Sequence, residues 1–131
     1  MNGTKAVLDS NVIIFASKQK IDIDKLLNQF DSFHVSIIAY MEVYSYEFED
    51  DKERKLIDDL FESIEIIDVN IEIAEQAINY RKNKIRKIKL PDAIILATTK
   101  YLEADLITDD WDDFEGIDNN IEIIKVDSFR I

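Results

Sequence analysis

Leu90-Pro91-Asp92-Ala93-Ile94-Ile95-Leu96-Ala97-Thr98-Thr99 is the stretch around which this chain is organised. Pro91 suits the first turn of a helix, where its missing N–H would be unpaired anyway. From Ala93 to Ala97 every residue is apolar, so the helix is expected to be buried on most sides and not along one stripe. Yet a carboxylate stands at its entrance. Read alone, Asp92 caps the helix or complements its dipole. Read with the other acids of the chain, it is a candidate ligand.

After this helix, Ala104-Asp105-Leu106-Ile107-Thr108 reads as a strand, followed by the acid-rich turn Asp109 to Phe114 and a last strand from Ile121 to Val126. Before it, Asn70 caps a helix holding Ile73, Ala74, Ala77, Ile78 and Arg81. Ile64 to Val69 alternates β-branched and acidic residues, which predicts a strand near a sheet edge. Asp50 to Ser63 is a charged amphipathic helix with Leu56, Ile57, Leu60 and Phe61 as its apolar face. Ser36 caps a helix from Ile37 to about Phe48, preceded by the strand Phe33-His34-Val35. Asp22 to Phe30 has helical spacing. Lys5-Ala6-Val7-Leu8-Asp9 is a short buried strand ending in an acid, with Ser10 or Asn11 placed to cap a helix through Ala16.

Strands alternating with helices predict an α/β fold whose parallel sheet is covered on both faces. The expectation is a three-layer α/β/α sandwich with four to five central strands, in a single domain spanning residues 1–131. A chain of this length buries about two-thirds of its unfolded surface. Only two glycines and one proline, against 47% apolar residues, imply short connections.

Composition excludes several chemistries. There is no cysteine, so disulfides and thiolate zinc sites are impossible. With His34 as the only histidine, a metal here would be held by oxygen, which favours Mg²⁺ or Mn²⁺. No apolar run approaches the roughly 18 residues that span a membrane, and the start of the chain enters a strand at once, so no membrane contact and a cytoplasmic location are expected. The net charge of −12 repels nucleic acid at long range and invites a basic partner.

In an open α/β sheet, the loops at the carboxyl ends of the strands line one crevice. Asp9 ends the first strand, and Asp109 and Asp110 follow the strand ending at Thr108. Glu42 lies about two turns into the helix after Val35, and Asp92 opens the buried helix. Carboxylates gathered there would raise one another's pKa unless a cation neutralised them. A divalent metal is the economical explanation. Each acid also has a plainer reading: Asp9 as a cap, Glu42 as a solvated helix residue, and members of Asp109, Asp110, Asp112 and Asp113 as turn residues.

Val7-Leu8-Asp9-Ser10-Asn11-Val12, Ser36 with Glu42, Leu90-Pro91-Asp92-Ala93-Ile94-Ile95-Leu96-Ala97, and Leu106-Ile107-Thr108-Asp109-Asp110 with Asp113-Phe114 resemble the PIN domain. More narrowly, they resemble the VapC-type toxins of toxin–antitoxin pairs. The similarity runs in order over nearly the whole chain. It implies a metal-dependent endoribonuclease that hydrolyses RNA phosphodiesters with Mg²⁺, or Mn²⁺, held by Asp9, Glu42, Asp92 and a fourth acid. The family spacing gives Asp110 as that acid, with Asp109 and Asp113 competing for the place. Ser10 and Thr108 fall where the family often places hydroxyls beside the metal. The implied partners are an RNA substrate, a small cognate antitoxin with a basic segment, and a second copy of the chain. Ile37, Tyr40, Tyr44 and Phe48 offer either a dimer patch or core.

One basic stretch stands out from the acidic background. Residues 81–89 hold six of the sixteen basic side chains and no acid. Arg81, Arg86, Lys87 and Lys89 are read as RNA-backbone contacts or as a solvated helix end. His34 is read as a satisfied strand residue and Trp111 as a packing anchor beside the site. The competing function is a catalytically idle PIN-like domain that binds protein or RNA. A phosphoacceptor receiver fits less well, since Asp9 has no acidic neighbour and Lys125 falls inside a strand. A haloacid-dehalogenase-like phosphatase needs a second Asp where Asn11 stands.

Overall fold

A computed structural model describes residues 4–83 and 86–131. Five strands form one sheet: β1 (Lys5–Leu8), β2 (Ser32–Ser36), β3 (Ile64–Ile67), β4 (Asp105–Thr108) and β5 (Ile123–Lys125). All neighbouring pairs are parallel and the order is β3-β2-β1-β4-β5. Parallel neighbours need a crossover each, and α1 (Ser10–Ser17), α2 (Ile23–Gln29), α3 (Ile37–Tyr44), α4 (Asp51–Phe61), α5 (Ile71–Lys82), α6 (Leu90–Leu102) and α7 (Trp111–Phe114) supply them. The result is the three-layer α/β/α sandwich expected from the sequence.

The strand order places the site. The chain begins on the central β1, moves outward to β3, then returns to β4 on the other flank of β1. The direction reverses between β1 and β4, and the crevice of an open sheet lies at such a reversal, outside the carboxyl ends of its strands. Those ends carry Asp9 and Asp109.

Local chemistry sets the helix starts. Asp22, Ser36, Asp50 and Asn70 each accept a backbone N–H of the helix they precede. At α1 the cap is Asp9 itself, whose carboxylate accepts the Ser10 N–H; Ser10 and Asn11, expected as caps, lie inside the helix. No side chain caps α6, whose first turn holds Pro91. Burial keeps it in place instead. Ile95 and Leu96 are almost wholly excluded from water, which stabilises by roughly 1.5–3 kcal/mol each. Its polar end residues are satisfied internally: Thr98 and Thr99 donate to the carbonyls of Ile94 and Ile95 at 2.8 Å. The helix ends at Glu103, in the left-handed conformation at φ 53°.

Several elements are shorter than the sequence pattern suggests. The helix expected to reach Phe48 stops at Tyr44, because Ser45 turns its hydroxyl back on the Met41 carbonyl at 2.7 Å. The aromatic residues beyond and within it pack inward: Tyr40 and Tyr44 lie 5.3 and 5.5 Å from the Phe61 ring, and Phe48 lies 5.4 Å from Tyr46. β3 is an edge strand, as its alternation predicts. The acid-rich stretch read as a turn contains one helical turn, α7, anchored by the fully buried Phe114.

Candidate metal centre

Asp9 is the most buried acid at the crevice, 6% exposed. One carboxylate oxygen accepts the Ser10 N–H at 2.8 Å, and the other accepts the Thr108 hydroxyl at 2.8 Å. The Thr108 oxygen in turn accepts the backbone N–H of Asp110 at 2.9 Å. One hydroxyl therefore ties the end of β1 to the turn after β4. Burial pushes the Asp9 carboxyl up to about 6. Its two hydrogen bonds oppose that rise, and the charges of Asp92 and Asp109 add to it.

Asp109 completes the group in an unexpected way. Its Oδ2 accepts from the Asn11 side chain at 3.3 Å. Its Oδ1 is buried without a partner, the only such side-chain atom among the described residues. A buried carboxylate oxygen with nothing to bind costs free energy unless a cation or water completes it. Oxygen atoms of Asp9, Asp109 and Asp110 all lie within 4.8 Å of one another. Three carboxylate oxygens in that space, with no nitrogen or sulfur donor, suit a hard divalent ion such as Mg²⁺ or Mn²⁺. The donor set fits the metal.

Asp92 and Glu42 stand outside that tight group but face it. Burial pushes Asp92 up to about 6, and Asp113, Glu42 and Asp110 repel its charge while Lys89 opposes them. Glu42, on α3, is exposed at the rim; desolvation of its carboxylate raises its pKa, with the Ser10 hydroxyl opposing. Asp110 is raised by desolvation and by Asp109 and Asp113. Asp9, Glu42, Asp92, Asp109, Asp110 and Asp113 thus share one electrostatic environment, contributed by the end of β1, α3, α6, the turn after β4 and α7.

The basic stretch is partly turned inward. Arg81 donates to the Ile88 carbonyl at 3.4 Å, and Arg86 donates to the carbonyls of Asp112 and Glu115. Lys87 is exposed, and Lys89 precedes the first turn of α6 without a capping bond, its charge acting on Asp92 and Asp110. Lys84, in the same basic run, falls outside the described residues. His34 bonds Ser32 and Glu65, each at 2.8 Å, which satisfies both ring nitrogens within the sheet. Trp111 lies under the Lys125 ammonium, 5.0 Å from its ring centre. Sequence reasoning missed Asn11 as a support for Asp109. Its position two residues after Asp9 was the only signal.

No curated protein matches the chain. Among solved structures, a toxin–antitoxin complex from Klebsiella pneumoniae aligns with a TM-score of 0.76 at 28% identity, covering 96% of this chain and 99% of that one. VapBC from Salmonella typhimurium, bound to DNA, aligns at 0.78 and 21%, over 94% and 98% of the two chains. VapBC2 from Rickettsia felis, bound to a promoter DNA fragment, aligns at 0.77 and 20%, over 93% and 98%. The last two identities show a shared fold. The family model of the PIN domain matches residues 6–120, and the chain belongs to that family.

Proposed function

We propose that this chain is a metal-dependent endoribonuclease, the VapC-type toxin of a toxin–antitoxin pair. PIN domains are generally nucleases that use divalent metals. The observation that carries the reading is the unpartnered Oδ1 of Asp109 within 4.8 Å of oxygens from Asp9 and Asp110. An idle binding domain has no need to hold buried carboxylates together against their repulsion. The toxin assignment is supported by the likeness to the Klebsiella pneumoniae toxin–antitoxin complex.

When bound, Mg²⁺ or Mn²⁺ supplies charge neutralisation at the phosphodiester and activation of a water. The chain's own residues bind and orient. Asp9, Asp109 and Asp110 are the proposed inner ligands, with Asp92 and Glu42, from α6 and α3, completing the set that would hold the metal. Ser10 and Thr108 fix the direction of the Asp9 carboxylate, and Asp113 adds negative potential from α7. Lys87 and Lys89, next to Asp92, receive the RNA backbone. No side-chain nucleophile is required.

The partner proposed from the charge of −12 is a small antitoxin with a basic segment, whose cation would neutralise the carboxylates and exclude substrate together. We also propose a homodimer, for which the exposed Met41, Ile71 and Ile78 offer apolar surface. The test of activity is incubation of a total tRNA and rRNA pool with Mg²⁺, Mn²⁺ or EDTA, with cut sites mapped. Discrete cuts with either metal and none with EDTA are expected. An intact pool under both metals overturns the nuclease reading. For the partner, inhibition by the antitoxin should weaken as Mg²⁺ rises.

A further inference from the structure

Arg86 joins two walls of the crevice. Its guanidinium donates from one nitrogen to the Asp112 carbonyl and from another to the Glu115 carbonyl, with the Glu115 carboxylate 4.0 Å away. Asp112 lies within α7 and Glu115 caps its end. A single helical turn leaves such carbonyls without internal partners. A planar fork with fixed N–H directions fits two carbonyls three residues apart, and an ammonium does not reproduce it.

The turn needs that support. One helical turn is unstable by itself, and residues 109–115 carry Asp109, Asp110, Asp112, Asp113 and Glu115. Asp109 and Asp113 repel Asp110 across the turn, and Asp110 and Asp113 repel Asp92. Phe114 anchors one side of the turn in the core. Behind it, Asp118 accepts from the Tyr80 hydroxyl at 2.6 Å and the Lys100 ammonium at 3.2 Å. These contacts hold the following loop to α5 and α6, and Trp111 meets Lys125 of β5 at the start of the turn. Arg86 ties the carboxyl end of the turn to the segment before α6. What depends on it is the centre, because Asp109 and Asp110 lead directly into α7 and Asp113 is the acid acting most strongly on Asp92.

We propose that Arg86 is a positioning residue: by clamping the carboxyl end of α7 it sets where Asp109, Asp110 and Asp113 stand against Asp92. The role rests on the metal-dependent reading above and differs from a phosphate contact.

Trp111 is the only tryptophan and the first residue of α7, so its fluorescence reports the turn. Mn²⁺, which quenches nearby fluorophores, is titrated into the wild-type chain, Arg86→Ala, Arg86→Lys and the control Lys82→Ala, which removes an exposed charge of the same basic run. Both Arg86 variants should shift the Trp111 emission and bind Mn²⁺ roughly 10- to 100-fold more weakly, while Lys82→Ala titrates as wild type. Added guanidinium ion should restore affinity to Arg86→Ala. In RNA cleavage, kcat should fall with KM and the salt slope unchanged. Wild-type emission and Mn²⁺ affinity in both Arg86 variants overturns the clamp; so does a salt slope reduced by roughly 0.7, which marks a phosphate contact. If Arg86→Ala fails to fold, Arg86→Lys, which keeps charge and bulk, decides by the same readout. Mn²⁺ binding by a wild-type chain that cuts no RNA defeats the nuclease reading alone. If the wild type binds no Mn²⁺, an unshifted Trp111 emission in Arg86→Lys still overturns the clamp.

Discussion

The Thr108 hydroxyl donates to Asp9 Oδ2 at 2.8 Å, joining two residues 99 positions apart. The same oxygen accepts the Asp110 N–H, so one side chain orients a buried carboxylate and fixes the turn that brings Asp109 and Asp110 to it.

Thr108→Val keeps the shape and deletes the hydroxyl. Since that bond lowers the Asp9 pKa, the variant should titrate Asp9 above its present value of about 6. With the carboxylate ionised, stability should drop by about 1.5–3 kcal/mol. NMR titration of Asp9 and urea unfolding at pH 8 check both parts; a pKa unmoved by the substitution would remove Thr108 from the account.

The metal-free chain should lose stability as pH rises from about 4 to 6. Asp9 and Asp92 titrate near 6 when folded and near 3.8 when unfolded. Between those values the folded state holds more protons, so ionisation favours unfolding. The stabilising contribution is complete below the unfolded pKa and gone above the folded one. Asp9→Asn should therefore raise stability at pH 7 by up to roughly 3 kcal/mol, and either Asp9→Asn or Asp92→Asn should abolish RNA cleavage. Denaturant curves from pH 4 to 8 in EDTA show whether the slope flattens in the variants; cleavage at wild-type rate by both would refute the site assignment.

Asp109→Asn should leave the fold intact and weaken Mn²⁺ or Mg²⁺. With the wild type, metal at 100 times its Kd should stabilise by about 2.7 kcal/mol, and this gain should grow with pH as the carboxylates deprotonate. Thermal melts with and without Mn²⁺ measure it. An equal metal-induced shift in Asp109→Asn would show that the unpartnered oxygen is not a ligand.

Lys87→Ala with Lys89→Ala should weaken RNA binding and flatten its salt dependence, by roughly 0.7 in slope for each lost contact to a single strand. Binding measured across a salt series decides the matter. An unchanged slope assigns the two lysines to the helix end alone.

The sequence by itself determined the local grammar. Caps at Ser36 and Asn70, the buried helix after Pro91 and the edge strand at Ile64 follow from short-range hydrogen bonding and from hydrophobic period. The caps Asp9, Asp22 and Asp50 emerge only in the structure, where the sequence pattern offers Ser10 or Asn11 for the first and runs the helices from the other two. Alternation of strand and helix then required a parallel sheet, which sends Asp9 and Asp109 to strand ends. What it did not determine is which acids meet. Asp109, Asp110 and Asp113 differ by one to four positions in a run of similar residues, and a turn aims successive side chains in different directions. The strand order, with β1 beside β4, and the anchoring of Phe114 choose among them. The basic run was equally ambiguous, because a positive charge bonds RNA phosphate and backbone carbonyl by the same chemistry. Only the packing of α7 against the segment before α6 put the Arg86 fork within reach of the Asp112 and Glu115 carbonyls. Local rules act over a few residues, whereas a site built from four distant segments exists only once the sheet has closed the distances between them.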